Sequence, residues 1–332
     1  MEVKSYNSNR RRIRANPQVR ELAASVQLSH RDFIQPLFLD QRISNKTAIS
    51  SLNHVFSETV DSLLKQIECD IDAGINKFLL FPVPEAKSEN NFDFSFVLNA
   101  LKRINSNFGN NIWMAADVCL CSYTSHGHCG ILNKERTKVL NHETVQVIAD
   151  YSLQLAQAGV QCIAPSDMMD GRIGAIRTQL DVNGFDDVSI MSYSCKFSSQ
   201  FYGPFRDACR SAPGANSELR DRKTYQVSPF NPKDALLAAL RDIEEGADII
   251  MVKPALPYLD IIFQLKHKSK LPVAAYHVSG EYQAIELLSE NNLLDRNKGH
   301  VEVWASLKRA GADMIISYAS REARNWIQKN EY

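Results

Sequence analysis

The chain has 332 residues, 44% of them hydrophobic, and its 38 lysines and arginines balance 38 aspartates and glutamates. That length is long for one ordinary core but normal for a closed barrel of alternating strands and helices. Zero net charge gives no global signal for a nucleic-acid partner, the longest apolar runs fall short of the roughly 20 residues that cross a bilayer, and the N-terminus has no signal-peptide core, so the chain reads as cytosolic with neither membrane nor nucleic-acid partner.

Residues 1–30 form an arm with a basic cluster at Arg10, Arg11, Arg12 and Arg14. It is either solvated or packed on a neighbouring subunit. Residues 31–332 are read as one catalytic barrel. Eight strand-like apolar runs follow at Ile34–Leu39, Lys77–Val83, Ile112–Val118, Gln161–Ser166, Ser189–Tyr193, Asp248–Lys253, Val273–Val278 and Met314–Ala319. Most are unbroken in apolar residues, as strands buried on both faces are. Helical stretches between them include Val60–Ala73, Thr144–Ala158, Pro232–Glu245, Tyr258–Lys268 and Val301–Ala310. Four joins share one pattern, Ala73-Gly74-Ile75-Asn76, Ala158-Gly159-Val160-Gln161, Glu245-Gly246-Ala247-Asp248 and Ala310-Gly311-Ala312-Asp313, in which a glycine ends a helix and a strand begins. The pattern predicts an α/β fold, a (β/α)8 TIM barrel with an N-terminal arm. An open doubly wound sheet is the structural alternative, weakened by the lack of Gly-x-Gly-x-x-Gly after the first strand. The stretch at about 197–228 is rich in Gly, Pro, Ser and Arg and reads as a lid.

Barrel enzymes carry their chemistry at the carboxyl ends of strands. Cys119-x-Cys121 followed by Cys129 offers three thiolates for zinc, with a fourth position either open or closed by His126 or His128. The other cysteines, Cys69, Cys162, Cys195 and Cys209, are isolated and read as packing residues. Lys196 and Lys253 end adjacent strands, where burial and a second cation lower an amine's pKa and make it a carbonyl nucleophile. The alternative for such a lysine is an anchor for a phosphate or carboxylate. Arg206, Arg222 and Gln226 in the lid suit a carboxylate clamp. Asp117 and Asp167 are either proton-transfer groups or structural partners.

These segments together resemble the porphobilinogen synthase (5-aminolevulinate dehydratase) family. The resemblance is carried by Asp117-Val118-Cys119-Leu120-Cys121-Ser122-Tyr123-Thr124-Ser125-His126-Gly127-His128-Cys129-Gly130, by Ala164–Arg172, Met191–Phe197, Phe201–Ala208, Met251–Pro254, Tyr276–Tyr282 and Arg309–Asp313, in family order along nearly the whole chain. It implies a zinc-dependent lyase that condenses two molecules of 5-aminolevulinate to porphobilinogen, with loss of two waters, in tetrapyrrole (heme) synthesis. By position it implies imines at Lys253 with the propionate-side substrate and at Lys196 with the acetate-side substrate, zinc on Cys119, Cys121 and Cys129, and Asp117 as a proton-transfer or amine-binding group. It implies one carboxylate held by Arg206, Arg222 and Gln226, the other by Ser279 and Tyr318, and Ser166, Asp167, Tyr202 and Phe205 around the substrates. Family members are typically homo-octamers whose N-terminal arms wrap a neighbour. Asp234 stands where many bacterial members have a glutamate that contacts a regulatory magnesium, with Pro232 and Lys233 altering its surroundings, so a magnesium site stays open. Two other functions fit parts of the pattern: an aldolase-like barrel with one imine, and a non-catalytic metal-binding subunit.

Overall fold

Eight parallel strands close into a ring: β1 (Phe33–Asp40), β2 (Lys77–Val83), β3 (Trp113–Val118), β4 (Cys162–Pro165), β5 (Ser189–Lys196), β6 (Ile249–Lys253), β7 (Val273–His277) and β8 (Met314–Ser317). Each lies beside its sequence neighbour, and β1 pairs with β8 at Phe33–Ile315 and Ile34–Ile316, which excludes the open sheet. The computed structural model describes residues 10–213 and 219–329; positions 1–9 of the arm, 214–218 of the expected lid and 330–332 lie outside the described residues.

The strands are apolar because they have no wet face. All eight residues of β1 are buried. The crossover helices Val60–Asp72, Ser95–Phe108, Asn141–Gln157, Arg172–Val182, Pro232–Glu244, Leu259–Lys268, Ser279–Glu290 and Arg296–Ala310 cover the outside. The repeated helix stop has a simple cause: Gly74, Gly159, Gly246 and Gly311 all adopt positive φ, from +93° to +113°, where a Cβ is strained. The last crossover helix begins five residues before the expected Val301, because Asp295 caps Lys298 N at 3.0 Å and extends the helix through a polar first turn. No helix among the described residues is long and apolar enough to cross a membrane.

The structure differs from expectation at β5, which runs past Tyr193 to Lys196 with a bulge between Ser192 and Cys195. The bulge sets the facing of the lysine. Tyr193 and Lys196 both face the barrel interior, three residues apart, whereas regular pleating would put them on opposite faces. On the outer face, Ser192 and Cys195 meet the helix Pro232–Glu244 through Asp242 and the Ala235 carbonyl. The extra residue pairs Lys196 directly with Lys253 of β6. Tyr318 follows β8 rather than lying within it. Cys162, Cys195 and Cys209 are buried as expected, but Cys69 is exposed on its helix, because the apolar stripe at Leu63 and Ile67 faces inward and position 69 turns away from it.

The described part of the expected lid turns through Gln200–Tyr202 and the short helix Gly203–Ala208. Ser51 anchors it by donating to Asp207 at 2.6 Å, and Val227 returns to pair beside Phe197 at the end of β5. The described arm contains the helix Pro17–Leu22, which buries none of its residues and leaves Leu22 86% exposed.

Gly311 sits at φ +113° with Lys266 Cβ 2.7 Å from where a side chain would begin. Gly311→Ala is expected to destabilise the fold by about 1–3 kcal/mol, read as a lower denaturant midpoint. An unchanged midpoint would contradict the strain argument.

Candidate active site

Lys196 and Lys253 stand side by side at the carboxyl mouth of the barrel, level in register and each at most 5% exposed. Their surroundings differ. The Lys196 amine donates to the Ser166 carbonyl at the end of β4. The Lys253 amine makes no hydrogen bond or ion pair among the described residues and lies among ring faces, with Tyr276, Phe205 and Tyr193 centroids at 4.1, 4.7 and 4.9 Å. Burial, then the Lys196 charge, bring the Lys253 amine down to about 7. Burial outweighs the opposing pull of Asp117, so the amine is disfavoured as a cation, and the neutral form is the one that can act as a nucleophile.

Asp117 comes from β3. Burial pushes its carboxyl up to about 6, against the pull of Lys196 and Lys253, and its Oδ1 is buried without a partner. A carboxyl in that range exchanges protons near neutrality. Asp117, Cys121, Ser166, Lys196, Arg222 and Lys253 line one small cavity, and Tyr202 and Phe205 close it from the lid. Tyr202 spends its hydroxyl on backbone, 2.8 and 2.9 Å from the carbonyl oxygens of Phe197 and Lys253, so its ring rather than its oxygen faces the lysine.

The loop after β3 folds back and gathers Cys119, Cys121 and Cys129, whose sulfurs all lie within 4.8 Å of one another and are buried. Hydrogen bonds from Cys119 and Cys129 hold the Cys121 thiol below its usual pKa, while those two are raised. The set fits zinc: three soft donors, close together and buried. Neither histidine joins them. Both ring nitrogens of His128 are engaged, with Tyr225 Oη at 3.1 Å and the Leu219 carbonyl at 2.9 Å. His126 accepts from the His128 amide at 3.1 Å. A metal on the cysteines would therefore keep an open fourth position rather than a histidine.

Arg222 is buried and donates to the Gly127 and Ser211 carbonyls, which aims it across the mouth. Neither Arg206 nor Arg222 meets a carboxylate among the described residues. Burial, and then the charge of Arg222, lower the pKa of Arg206. The Nε atoms of both arginines and both side-chain amide atoms of Gln226 are buried without partners. Three of these atoms, the two Nε and the Gln226 Nε2, are donors of the kind that a carboxylate accepts from.

The other expected residues have other contacts. Asp167 accepts from Met169 N at 2.8 Å and lies 3.7 Å from Arg172 Nε, so it is a structural partner of the loop after β4. The Ser279 hydroxyl binds the lid instead of facing open space, accepting from Phe205 N at 3.0 Å and donating to the Phe201 carbonyl at 3.2 Å. Tyr318 Oη is 3.2 Å from Tyr276 Oη. Asp234 lies exposed in the first turn of its helix, and among the described residues no group of three ligand atoms includes it.

Sequence reasoning missed the aromatic cage. Phe81 and Tyr276 belong to β2 and β7, at positions that face the interior; knowledge of the pleat would have found them, but apolar runs conceal the pleat. It also missed Glu281, whose carboxyl accepts from Leu256 N at 2.9 Å and Val278 N at 2.7 Å and so ties the loop after Lys253 to the helix Ser279–Glu290 that follows β7.

Residues 7–326 match the family model described as delta-aminolevulinic acid dehydratase. The delta-aminolevulinic acid dehydratase of Bacillus subtilis is 39% identical over 97% of this chain and 98% of its own length. That of Helicobacter pylori is 42% identical over 96% and 98%. Among solved structures, the delta-aminolevulinic acid dehydratase of Toxoplasma gondii in complex with its reaction product porphobilinogen superposes with a TM-score of 0.92 at 38% identity, covering 97% of this chain and 92% of that one.

The charge state of Lys253 gives a direct test. Its neutral, reactive form is lost as pH falls through about 7, so reductive labelling of this amine is expected to rise with pH about a midpoint near 7. A midpoint near the ordinary lysine value of about 10.4 would show that burial and Lys196 do not set its reactivity.

Proposed function

This chain belongs to the delta-aminolevulinic acid dehydratase family, and from that premise we infer that it condenses two molecules of 5-aminolevulinate to porphobilinogen in tetrapyrrole synthesis. The observation that carries this reading is the pair of level, buried lysines lining one cavity with Asp117 and Arg222. Two ketones must be activated at once. Each lysine nitrogen replaces a ketone oxygen, water leaves, and the imine carbon becomes an electron sink. When the new carbon–carbon and carbon–nitrogen bonds form, the lysines are released, and the net loss is two waters. Holding both substrates in one closed cavity makes the joining step intramolecular.

Within this reading, Lys253 takes the propionate-side molecule and Lys196 the acetate-side molecule. The caged amine of Lys253, lowered to about 7, suits first attack at neutral pH. Asp117 moves protons beside both amines. Arg206, Arg222 and Gln226 grip one carboxylate, as their unpartnered buried atoms favour. Tyr318 and Ser279 serve the second, which for Ser279 requires its hydroxyl to exchange a lid contact for substrate. Ser166, Asp167, Tyr202 and Phe205 order the walls. The chain is read as a member of the zinc-dependent branch, with Cys119, Cys121 and Cys129 holding the ion. When bound there, zinc supplies a Lewis acid that polarises or orients the acetate-side substrate. The exposed arm helix, with Leu22 in solvent, is read as packing on a neighbouring copy in a homo-octamer.

Lys253→Ala is expected to abolish turnover, measured as porphobilinogen formed; a rate near the parent's overturns the mechanism. A Cys119→Ala, Cys121→Ala double variant is expected to keep its fold by circular dichroism while losing bound zinc and nearly all activity. Full activity after exhaustive chelation would rule out the metal's role.

A further inference from the structure

We propose that Arg172 is a positioning residue for Lys196: it clamps the β5 bulge to the loop after β4 and thereby sets where the Lys196 amine lies, with little effect on Lys253. The proposal rests on the reading of Lys196 as an imine-forming residue.

Arg172 opens the helix Arg172–Val182 and is fully buried. One terminal nitrogen donates to both Ser192 Oγ and Asp242 Oδ2, each at 3.1 Å. Ser192 in turn donates to the same Asp242 oxygen at 2.6 Å. The other terminal nitrogen donates to the Met169 carbonyl at 3.1 Å, and Nε lies 3.7 Å from Asp167. The guanidinium therefore joins two segments, through the Ser192 hydroxyl on β5 and the Met169 carbonyl after β4, at the points that matter to Lys196. Ser192 is the last regularly paired residue before the bulge that turns Lys196 inward. Asp167 and Met169 belong to the loop whose Ser166 carbonyl accepts from the Lys196 amine. Arg172 thus ties the residue that directs the lysine to the loop that receives it.

Lys253 is held differently. Of its cage, only Tyr193 lies on β5, beside Ser192; Phe81 and Tyr276 come from β2 and β7, and Tyr202 and Phe205 come from the lid. None of the five rings contacts Arg172 in the interactions described, and four of them lie off the clamped strand. A slack clamp would displace one amine and leave the other largely in place. A general structural role would weaken both together.

The test compares Arg172→Gln, Arg172→Lys and Ser192→Ala with the parent protein. Each lysine is read by mass spectrometry in two ways: as a borohydride-trapped 5-aminolevulinate adduct, and by reductive methylation with formaldehyde, which needs no substrate chemistry. In Arg172→Gln, labelling of Lys196 relative to Lys253 is expected to fall roughly 10-fold or more in both assays, with kcat falling alongside, since small displacements of a reacting group cost rate steeply. Arg172→Lys should recover part of the ratio, and Ser192→Ala should shift it in the same direction by less. If Arg172→Gln does not fold, Ser192→Ala and Arg172→Lys decide the matter. Equal loss at both lysines in folded protein, or a parental ratio in every folded variant, overturns the proposal. A shifted methylation ratio in a protein whose parent forms no 5-aminolevulinate adduct supports the clamp and overturns the reaction assigned above.

Discussion

The site depends on the burial of two lysine side chains next to one another, which makes charge at Lys253 costly first through lost hydration and then through its neighbour. Lys196 and Lys253 are paired across adjacent parallel strands, and the strands belong to a closed barrel with no free edge along which to slip. In water two such charges would be screened; here both are buried. Losing a proton at Lys253 removes both the burial cost and the repulsion, and a neutral amine is the form that attacks a carbonyl. Lowering an ammonium from its ordinary value to about 7 corresponds to roughly 5 kcal/mol of bias against the charge. The barrel is stable enough to hold that strain because its eight strands and their covering helices bury a continuous apolar core.

The remaining groups at the mouth follow the same logic of unmet demand. Arg206, Arg222 and Gln226 are buried with polar atoms unsatisfied. Left without partners, such atoms are costly, and a carboxylate is one acceptor that could satisfy the donors among them. The three cysteines share the pattern: three sulfurs lie buried within 4.8 Å of one another with one thiol's pKa lowered, an arrangement that a cation would stabilise. The mouth thus concentrates polar groups whose partners are not supplied by the described residues.

Much of this was legible in the residues themselves. Apolar strand runs and four glycine stops define the barrel, because burial on both faces and positive φ are local requirements that leave a local mark. The cysteine triplet was legible because its spacing is short. Less visible were features that depend on facing or distance in space. The β5 bulge has no signature, since Tyr193-Ser194-Cys195-Lys196 reads equally well as a strand end followed by a loop. The aromatic cage draws on Phe81 and Tyr276, nearly two hundred residues apart in sequence, brought together only by closure of the ring. Ser279 was assigned to substrate, yet its hydroxyl joins the lid; nothing in its own segment encodes where residues 201–205 come to rest.

The two lysines are equivalent by register and unequal by environment, and that inequality bears on the reaction. Lys196 has a carbonyl acceptor and adjoins the loop that gathers the thiols. Lys253 has aromatic faces and no hydrogen-bonding partner among the described residues. A site built to join two copies of one substrate must treat them differently, or either copy would compete for both roles. An amine held near neutrality in an apolar cage reacts with whichever ketone arrives first. An amine tied to a carbonyl beside the cysteine loop is better suited to a molecule that another group also holds. The asymmetry comes from neighbours rather than from the lysines, so it depends on how β5 is turned. A single extra residue between Ser192 and Cys195 gives this barrel a second inward-facing amine at the level of the first.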